Sequence, residues 1–163
     1  MAIEVSERIP AGSLQTMTRD GVETLSSDDI FAGKRVVLFA VPGAFTPSCS
    51  DVHLPGFLAR AEEFTAHGVD TLACLAVNDV YVMEAWRQQS GAAHHILMLA
   101  DGNGDYVRAL GLELDASRWG MGLRSRRFAA VIDDGLVRVL GIENGPVIDA
   151  SGAESILEAL QAL

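Results

Sequence analysis

The sequence contains the run RVVLFAVPGAFTPSCS at residues 35–50, in which a strongly apolar stretch leads directly to a cysteine. Residues 35–41 are almost continuously apolar, which is typical of a strand buried on both faces of a sheet. Pro42 and Gly43 end this strand, and from Pro47 onward the pattern predicts a helix with a kink at Pro55. Cys49 is therefore expected in the first turn of a helix, just beyond the end of a central strand.

The first turn of a helix is a favourable place for a reactive thiol. Backbone N–H groups there have no acceptor within the helix, and the helix dipole favours negative charge. Both effects favour the thiolate, which is the nucleophilic form of cysteine. We therefore expect Cys49 to react rather than to serve only as a small buried side chain.

Composition restricts the possible function classes. The 163 residues suit a single domain spanning residues 1–163, and the formal charge of −10 disfavours nucleic acid and anionic membranes as partners. No apolar run is long enough to cross a bilayer, and the first residues do not resemble a secretory signal. Only two cysteines occur, which is typical of a reducing compartment, so we expect a cytoplasmic protein.

Strand and helix patterns alternate along most of the chain. Residues 3–24 are expected to form short strands and turns, and Ser27 is a candidate cap for a short helix at 26–31. Asp134-Gly135 is a strong hairpin signal. The remaining predicted strands are 69–77, 95–99, 127–133 and 136–142. The remaining predicted helices are 48–67, 103–110 and 153–162. A further helix is predicted to be capped by Asn78-Asp79 and to end near Ser90. This order predicts an α/β fold with a mixed central β-sheet and helices on both faces.

The cysteine motif resembles the active-site sequence of the peroxiredoxins. The similarity lies in PGAFTPSC at residues 42–49 and HLPGF at 53–57, and it is closest to the atypical subfamily of peroxiredoxin five and the plant type-two enzymes. Further segments agree along residues 3–163, namely ACLAVND at 73–79, LADG at 99–102, GLELD at 111–115 and RSRRF at 124–128. The resemblance implies a thioredoxin-like fold, peroxidase activity on hydrogen peroxide and small organic hydroperoxides, and a homodimer. It implies no cofactor.

The resemblance also assigns roles to four positions: Pro42 as a shielding proline, Thr46 as the active-site threonine, Cys49 as the peroxidatic cysteine and Arg127 as the distal arginine. These residue types suit peroxide reduction, in which sulfur attacks one oxygen and charge develops on the other. The Thr46 hydroxyl can accept a hydrogen bond from the peroxide or donate one to the thiolate. Arg127 supplies fixed donors that remain charged at any working pH, and Pro42 can exclude water.

The sequence is less definite about the thiol that reduces oxidised Cys49. Residues 75–163 contain no cysteine, and the segment at 147–152 offers only Ala150 and Ser151 near the place where peroxiredoxin five enzymes often carry a second cysteine. Cys74 has the spacing of the second cysteine of plant type-two enzymes, but its apolar strand favours a structural role. We expect reduction by an external thiol, either glutathione with glutaredoxin or thioredoxin. A peroxide sensor that passes oxidation to a partner protein is the alternative.

Several other residues near the motif have competing interpretations. His53 follows Cys49 by four residues, so the pair is a possible metal site, but packing or hydrogen bonding beneath the helix is favoured and no metal is expected. Arg124 and Arg126 are expected to be structural or solvated. Candidates for the lining of an interface or the pocket are Phe45, Phe57, Trp119 and Met121.

Overall fold

The computed structural model describes residues 1–92 and 94–163. A seven-stranded mixed sheet has the order β2-β1-β5-β4-β3-β8-β9, and β6 and β7 form a separate two-stranded sheet. Strands β3, β4 and β5 are parallel, whereas all other pairs are antiparallel. The strands are β1 Ser13–Thr18, β2 Gly21–Ser26, β3 Arg35–Ala40, β4 Thr71–Ala76, β5 Leu97–Ala100, β6 Glu113–Asp115, β7 Leu123–Ser125, β8 Phe128–Asp133 and β9 Leu136–Ile142.

Helices cover both faces of the large sheet, as the alternating pattern predicts. They are α1 Ser27–Phe31, α2 Leu54–Ala59, α3 Ala61–Ala66, α4 Val80–Ser90, α5 Asp105–Leu110 and α6 Ala153–Gln161. Alternate residues of β3 enter two apolar clusters: Val37 and Phe39 face one, and Val36 and Leu38 face the other. The first cluster includes residues of α2, α3, α4 and α6, and the second includes residues of α1 and α5. In the part of the chain that the structure describes, no helix is both long and apolar enough to span a bilayer.

The local sequence correctly predicted the hairpin turn between β8 and β9, but it placed the N-cap of α1 one residue too late. Asp134 and Gly135 both have positive φ, 47° and 80°, as the turn between β8 and β9 requires. The cap of α1 is Ser26 rather than Ser27. The Ser26 hydroxyl accepts from the Asp29 N–H, and the Asp29 carboxylate accepts from the Ser26 N–H, so the reciprocal pair fixes the helix start one residue earlier.

The helix expected over residues 48–67 is not continuous. A π-helical turn spans Cys49–His53, and Arg60 interrupts the helix between α2 and α3 with φ −112° and ψ 15°. The Leu54 N–H donates to the Cys49 carbonyl, five residues earlier. Pro55 follows directly and has no N–H to donate, which explains why the regular hydrogen-bond ladder is disturbed at this point. The irregularity therefore lies in the turn that carries Cys49 rather than in a simple kink at Pro55.

Candidate active site

Cys49 lies at the start of the π-helical turn, just beyond the carboxyl end of β3. The helical conformation begins at Pro47, so the cysteine lies in the first turn, as the sequence predicts. Its side chain is fully buried in the apolar cluster that also contains Phe39 and Phe57. A reaction at this sulfur therefore depends on the few polar groups that reach it from other elements.

Arg127 brings a positive charge to the sulfur. Its Nη2 donates to Cys49 Sγ at 3.2 Å. The residue lies directly before β8, and pairing of Phe128 with Ala40 places it beside the end of β3. The Glu143 N–H donates to the Arg127 carbonyl at 2.9 Å and fixes the backbone there. A guanidinium at this distance stabilises negative charge on sulfur or on an oxygen beside it.

His53 contacts the other side of the same guanidinium. Arg127 Nη1 lies 2.9 Å from His53 Nδ1, and His53 Nε2 lies 2.8 Å from the Ser151 carbonyl oxygen. Because a guanidinium only donates hydrogen bonds, Nδ1 must be the acceptor, and the ring hydrogen is on Nε2. Burial, together with the nearby charge of Arg127, lowers the pKa of His53 to about 4, so the ring is neutral at pH 7.

Glu143 anchors the segment that holds His53. One carboxylate oxygen accepts hydrogen bonds from the Asp149 N–H, the Ser151 N–H and the Ser151 hydroxyl, each at 2.7 Å. Burial opposes ionisation of this carboxyl, but the bonds from Ser151 and Asp149 outweigh it and lower the pKa of Glu143. Ser151 is fully buried. The carbonyl that receives the His53 hydrogen therefore belongs to a firmly anchored segment.

The loop between β3 and Cys49 is held by its own hydrogen bonds. The Thr46 hydroxyl donates to the Gly43 carbonyl at 2.7 Å, and the Ala44 N–H donates to the Asn78 side chain at 2.9 Å. Since a hydroxyl has a single hydrogen, Thr46 does not donate to the sulfur here, and its oxygen can act only as a hydrogen-bond acceptor for a further group. Phe45, exposed at the loop tip, has a positive φ of 65°, a conformation uncommon for a bulky residue.

Gly43 is closely packed, so a side chain at this position would require its neighbours to shift slightly. A Cβ atom built there would lie 3.0 Å from Arg124 Nη1 and 3.3 Å from the Thr46 methyl group. Arg124 in turn donates to the carbonyls of Met121 and Val77, so its role in holding these loops is structural, as expected. Pro42 is half-buried at the start of the loop and has no N–H.

Comparisons with known proteins show which family the chain belongs to. The model of the family described as Redoxin matches residues 4–157. Peroxiredoxin-2C of Oryza sativa subsp. japonica is 48% identical over 97% of this chain and 98% of its own length. The reduced Prx3 of Vibrio vulnificus, solved in complex with H2O2, is 46% identical with a TM-score of 0.93, covering 97% of this chain and 99% of that one.

The chain belongs to the peroxiredoxin family. It is an α/β protein of thioredoxin-like fold and a thiol-dependent peroxidase. The structure of peroxiredoxin 5 from Alvinella pompejana is also similar, at 35% identity and a TM-score of 0.87 over 99% of both chains. These similarities confirm the expected placement in the atypical subfamily of the peroxiredoxins.

The second cysteine of this peroxiredoxin has the structural position expected for it. Cys74 is fully buried in β4, where it pairs with Phe39 of β3. Burial and the nearby Cys49 raise the pKa of the Cys74 thiol well above its ordinary value. A protonated thiol inside a central strand is a poor nucleophile.

Other sequence predictions have mixed outcomes. Phe57 is fully buried beneath the π-helical turn, so the prediction that it lines an interface or pocket is wrong. Trp119 is 60% exposed and Phe45 is 45% exposed, so both are available at the surface. Arg126 is on the surface and donates to the Asn144 side chain at 3.0 Å.

The hydrogen bonds of His53 argue against a metal site at Cys49 and His53. The Nδ1 lone pair of His53 accepts from Arg127, and Nε2 donates to a carbonyl, so neither ring nitrogen is free for a metal. Within residues 1–92 and 94–163, no group of three or more His, Cys, Asp or Glu side chains is placed to hold a metal ion.

Sequence reasoning did not find the contacts that Asn78, Glu143 and Trp86 make with the site. Asn78 was expected to help cap a helix, but Asp79 alone caps α4 by accepting from the N–H groups of Tyr81 and Val82. Trp86 is buried in α4, and its indole N–H donates to the Ser50 hydroxyl at 3.0 Å, one residue from Cys49. No local pattern marks contacts between such distant segments.

Proposed function

We propose that Cys49 is the peroxidatic cysteine of this peroxiredoxin and that Arg127 stabilises the charge that forms during attack. The contact of 3.2 Å between Arg127 Nη2 and Cys49 Sγ carries this assignment, because it places a fixed donor where both the thiolate and the leaving oxygen would lie. The substrates proposed are hydrogen peroxide and small organic hydroperoxides. Complete burial of the sulfur favours small peroxides over bulky ones.

In the proposed reaction, the Cys49 thiolate attacks one peroxide oxygen in line with the O–O bond. The S–O bond forms as the O–O bond breaks, and the second oxygen leaves as hydroxide or alkoxide and takes a proton from water. The sulfur is oxidised to sulfenic acid, and the peroxide is reduced. The lone pairs of Thr46 accept a hydrogen bond from the attacked peroxide, and Pro42 excludes water from the loop side.

The proposed reductant is an external thiol, supplied by glutathione with glutaredoxin or by thioredoxin. A first thiol condenses with the sulfenic acid to form a mixed disulfide and water, and a second thiol then releases Cys49. The burial of Cys74 in β4 and the raised pKa of its thiol support an external partner over an internal one. A reducing compartment such as the cytoplasm would supply these thiols.

A homodimer is proposed on the side of the active-site loops. Phe45 and Trp119 are large apolar side chains that remain 45% and 60% exposed there, and Arg118 stacks on the Trp119 ring at 4.6 Å. Burial of such side chains against a second copy would remove apolar surface from water. Sedimentation of the wild type and of Trp119→Glu tests this: a dimer that dissociates in the variant is expected, whereas a monomeric wild type would disprove the proposal.

One experiment tests the assignment of the sulfur and of its reductant. Wild type, Cys49→Ser and Cys74→Ser are each treated with one equivalent of H2O2, with and without glutathione, and weighed intact. We expect a glutathione adduct on wild type and Cys74→Ser, and none on Cys49→Ser. Peroxide consumption by Cys49→Ser at the wild-type rate would disprove the role of Cys49, and a Cys49–Cys74 disulfide without an adduct would disprove the external reductant.

Steady-state turnover separates the peroxidase from a peroxide sensor. A peroxidase consumes many equivalents of peroxide when glutathione and glutaredoxin are supplied. A sensor that passes its oxidation to a partner protein would show one oxidation event and little cycling.

A further inference from the structure

The Arg127 side chain needs a second support to stay aligned with the sulfur. An arginine side chain is long and loses considerable rotational freedom when it is fixed in one position. Its contact with Cys49 engages only Nη2, which leaves the plane of the guanidinium undetermined. The contact of Nη1 with His53 Nδ1 at 2.9 Å supplies the second point and fixes that plane.

His53 is itself fixed from both sides of its ring. Its Nε2–H donates to the Ser151 carbonyl at 2.8 Å, 98 residues away in sequence. The ring also lies between aromatic neighbours, with centroids 5.2 Å from Phe39 and 5.6 Å from Phe57. Only 1% of the residue is exposed, so water does not compete for either nitrogen. The imidazole is therefore a rigid acceptor aimed at Arg127.

We propose that His53 is a positioning residue that holds Arg127 against Cys49, and that the segment anchored by Glu143 sets the position of His53. A continuous chain of hydrogen bonds supports this, running from the Glu143 carboxylate to Ser151, from the Ser151 carbonyl to His53, and from His53 to Arg127. The inference rests on the proposed roles of Cys49 and Arg127. It adds a residue that acts on the reaction without touching the peroxide.

The same geometry excludes His53 as the base that deprotonates Cys49. Its Nδ1 lone pair accepts from Arg127, and its Nε2 carries a hydrogen that goes to a carbonyl. The pKa of about 4 agrees, because so weak a base would not hold a proton near neutral pH. The charged groups that face the ring are Arg127 and Glu143, and those that line the cavity beside it are Arg60, Asp149 and Glu154.

Two amide substitutions separate the functions of the two ring nitrogens. Asn has an oxygen at the level of Nδ1, so His53→Asn keeps an acceptor for Arg127. Gln has an N–H at the level of Nε2, so His53→Gln keeps the donor to Ser151 but loses the acceptor. His53→Leu loses both. His67, on the surface with its own backbone contact to Glu63, provides the matched control His67→Asn.

The measurement is the rate of Cys49 sulfenic acid formation with H2O2, followed by rapid quenching and mass spectrometry. We expect His53→Leu and His53→Gln to slow this step about 10- to 100-fold, His53→Asn to retain most of the rate, and His67→Asn to match wild type. A His53→Leu rate within twofold of wild type would overturn the proposal. So would a rate for His53→Gln equal to or above that of His53→Asn.

A double-mutant cycle distinguishes positioning from a general effect on folding. If His53 acts through Arg127, adding His53→Gln or His53→Leu to Arg127→Gln should cause no further loss of rate, whereas independent effects would multiply. Multiplied losses would overturn the proposal, and the His53→Gln cycle stays informative if the leucine variant does not fold. Failure of the underlying function is recognised separately, because wild-type Cys49 would then gain no oxygen.

Discussion

Arg127 donates to the Cys49 sulfur from a position 78 residues away in sequence, at a distance of 3.2 Å. Removal of this donor is the most direct test of the site. We expect Arg127→Gln to slow peroxide reduction about 10²–10³-fold, the usual effect of losing one preorganised donor. Arg127→Lys should fall between this variant and wild type, because lysine keeps the charge but not the planar fork.

The neighbouring Arg126 provides the control for this substitution. It lies on the surface and donates to Asn144 rather than to the sulfur. Arg126→Gln should therefore keep the wild-type rate in a competition assay for H2O2. Equal losses in the Arg126 and Arg127 variants would point to a general charge effect and contradict the assigned contact.

Thr46 should act through the lone pairs of its hydroxyl. Thr46→Val removes both the acceptor and the donation to the Gly43 carbonyl, and a loss of about tenfold in the peroxide rate is expected. Thr46→Ser keeps the hydroxyl and should remain close to wild type. Thr65→Val removes a comparable surface hydroxyl bond, to the Ala61 carbonyl, and should have no effect on the rate.

The stability of the protein should depend on pH through His53. Above about pH 6.5 the ring is neutral in both the folded and the unfolded state. Between about pH 6.5 and 4 the unfolded chain binds a proton that the folded protein rejects, so the free energy of unfolding falls as the pH is lowered. The full effect is about 3 kcal/mol for a pKa lowered from 6.5 to about 4.

Urea unfolding at pH 7 and at pH 4.5 measures this dependence. His53→Asn cannot titrate in this range, so its loss of stability between the two pH values should be smaller than that of wild type. Carboxyl groups titrate in both proteins and largely cancel in the comparison. An identical pH dependence in both proteins would show that His53 is not the group responsible.

Glu143 should affect both stability and rate. Glu143→Gln replaces the charged acceptor of three hydrogen bonds and should lower the free energy of unfolding by about 1–3 kcal/mol. If the segment that Glu143 anchors also sets the position of His53, peroxide reduction should slow as well. Glu158→Gln, on the exposed side of α6, is the control and should change neither quantity.

Cys74 should matter for stability but not for turnover. Cys74→Ser places a hydroxyl inside a fully buried strand and should destabilise the protein by about 1–3 kcal/mol. Peroxide turnover with glutathione should remain near that of wild type. A turnover loss as large as that of Cys49→Ser, in a variant that is still folded, would give Cys74 a direct part in the cycle.

Local patterns in the sequence predicted the framework that carries the site. The apolar runs of β3 and β4 and the Asp134-Gly135 turn depend on neighbouring residues, and all lie where the pattern places them. Strands β6 and β7 have three residues each, too few for an apolar alternation, and were not predicted. The capping error had a usable signal, since Ser26, but not Ser27, has an acidic residue three positions later.

The supports of the site were not predictable from local patterns. The positions of Thr46 and Arg127 were assigned by resemblance to a family, not by spacing. The bonds of His53 with Ser151 and Arg127 join residues 98 and 74 positions apart, and they form only when the sheet brings the ends of β3, β8 and β9 together. Side-chain contacts of this kind depend on the assembled fold.

The hydrogen bond between Trp86 and Ser50 gives the protein an internal optical probe. The sequence has two tryptophans, and the other, Trp119, is 60% exposed. Acrylamide in solution quenches exposed indoles selectively, so the residual emission comes from the indole whose N–H touches the residue after Cys49. We therefore expect oxidation of the sulfur to change the Trp86 emission in stopped-flow measurements on unlabelled protein, with Trp119→Phe supplying a version that has a single tryptophan.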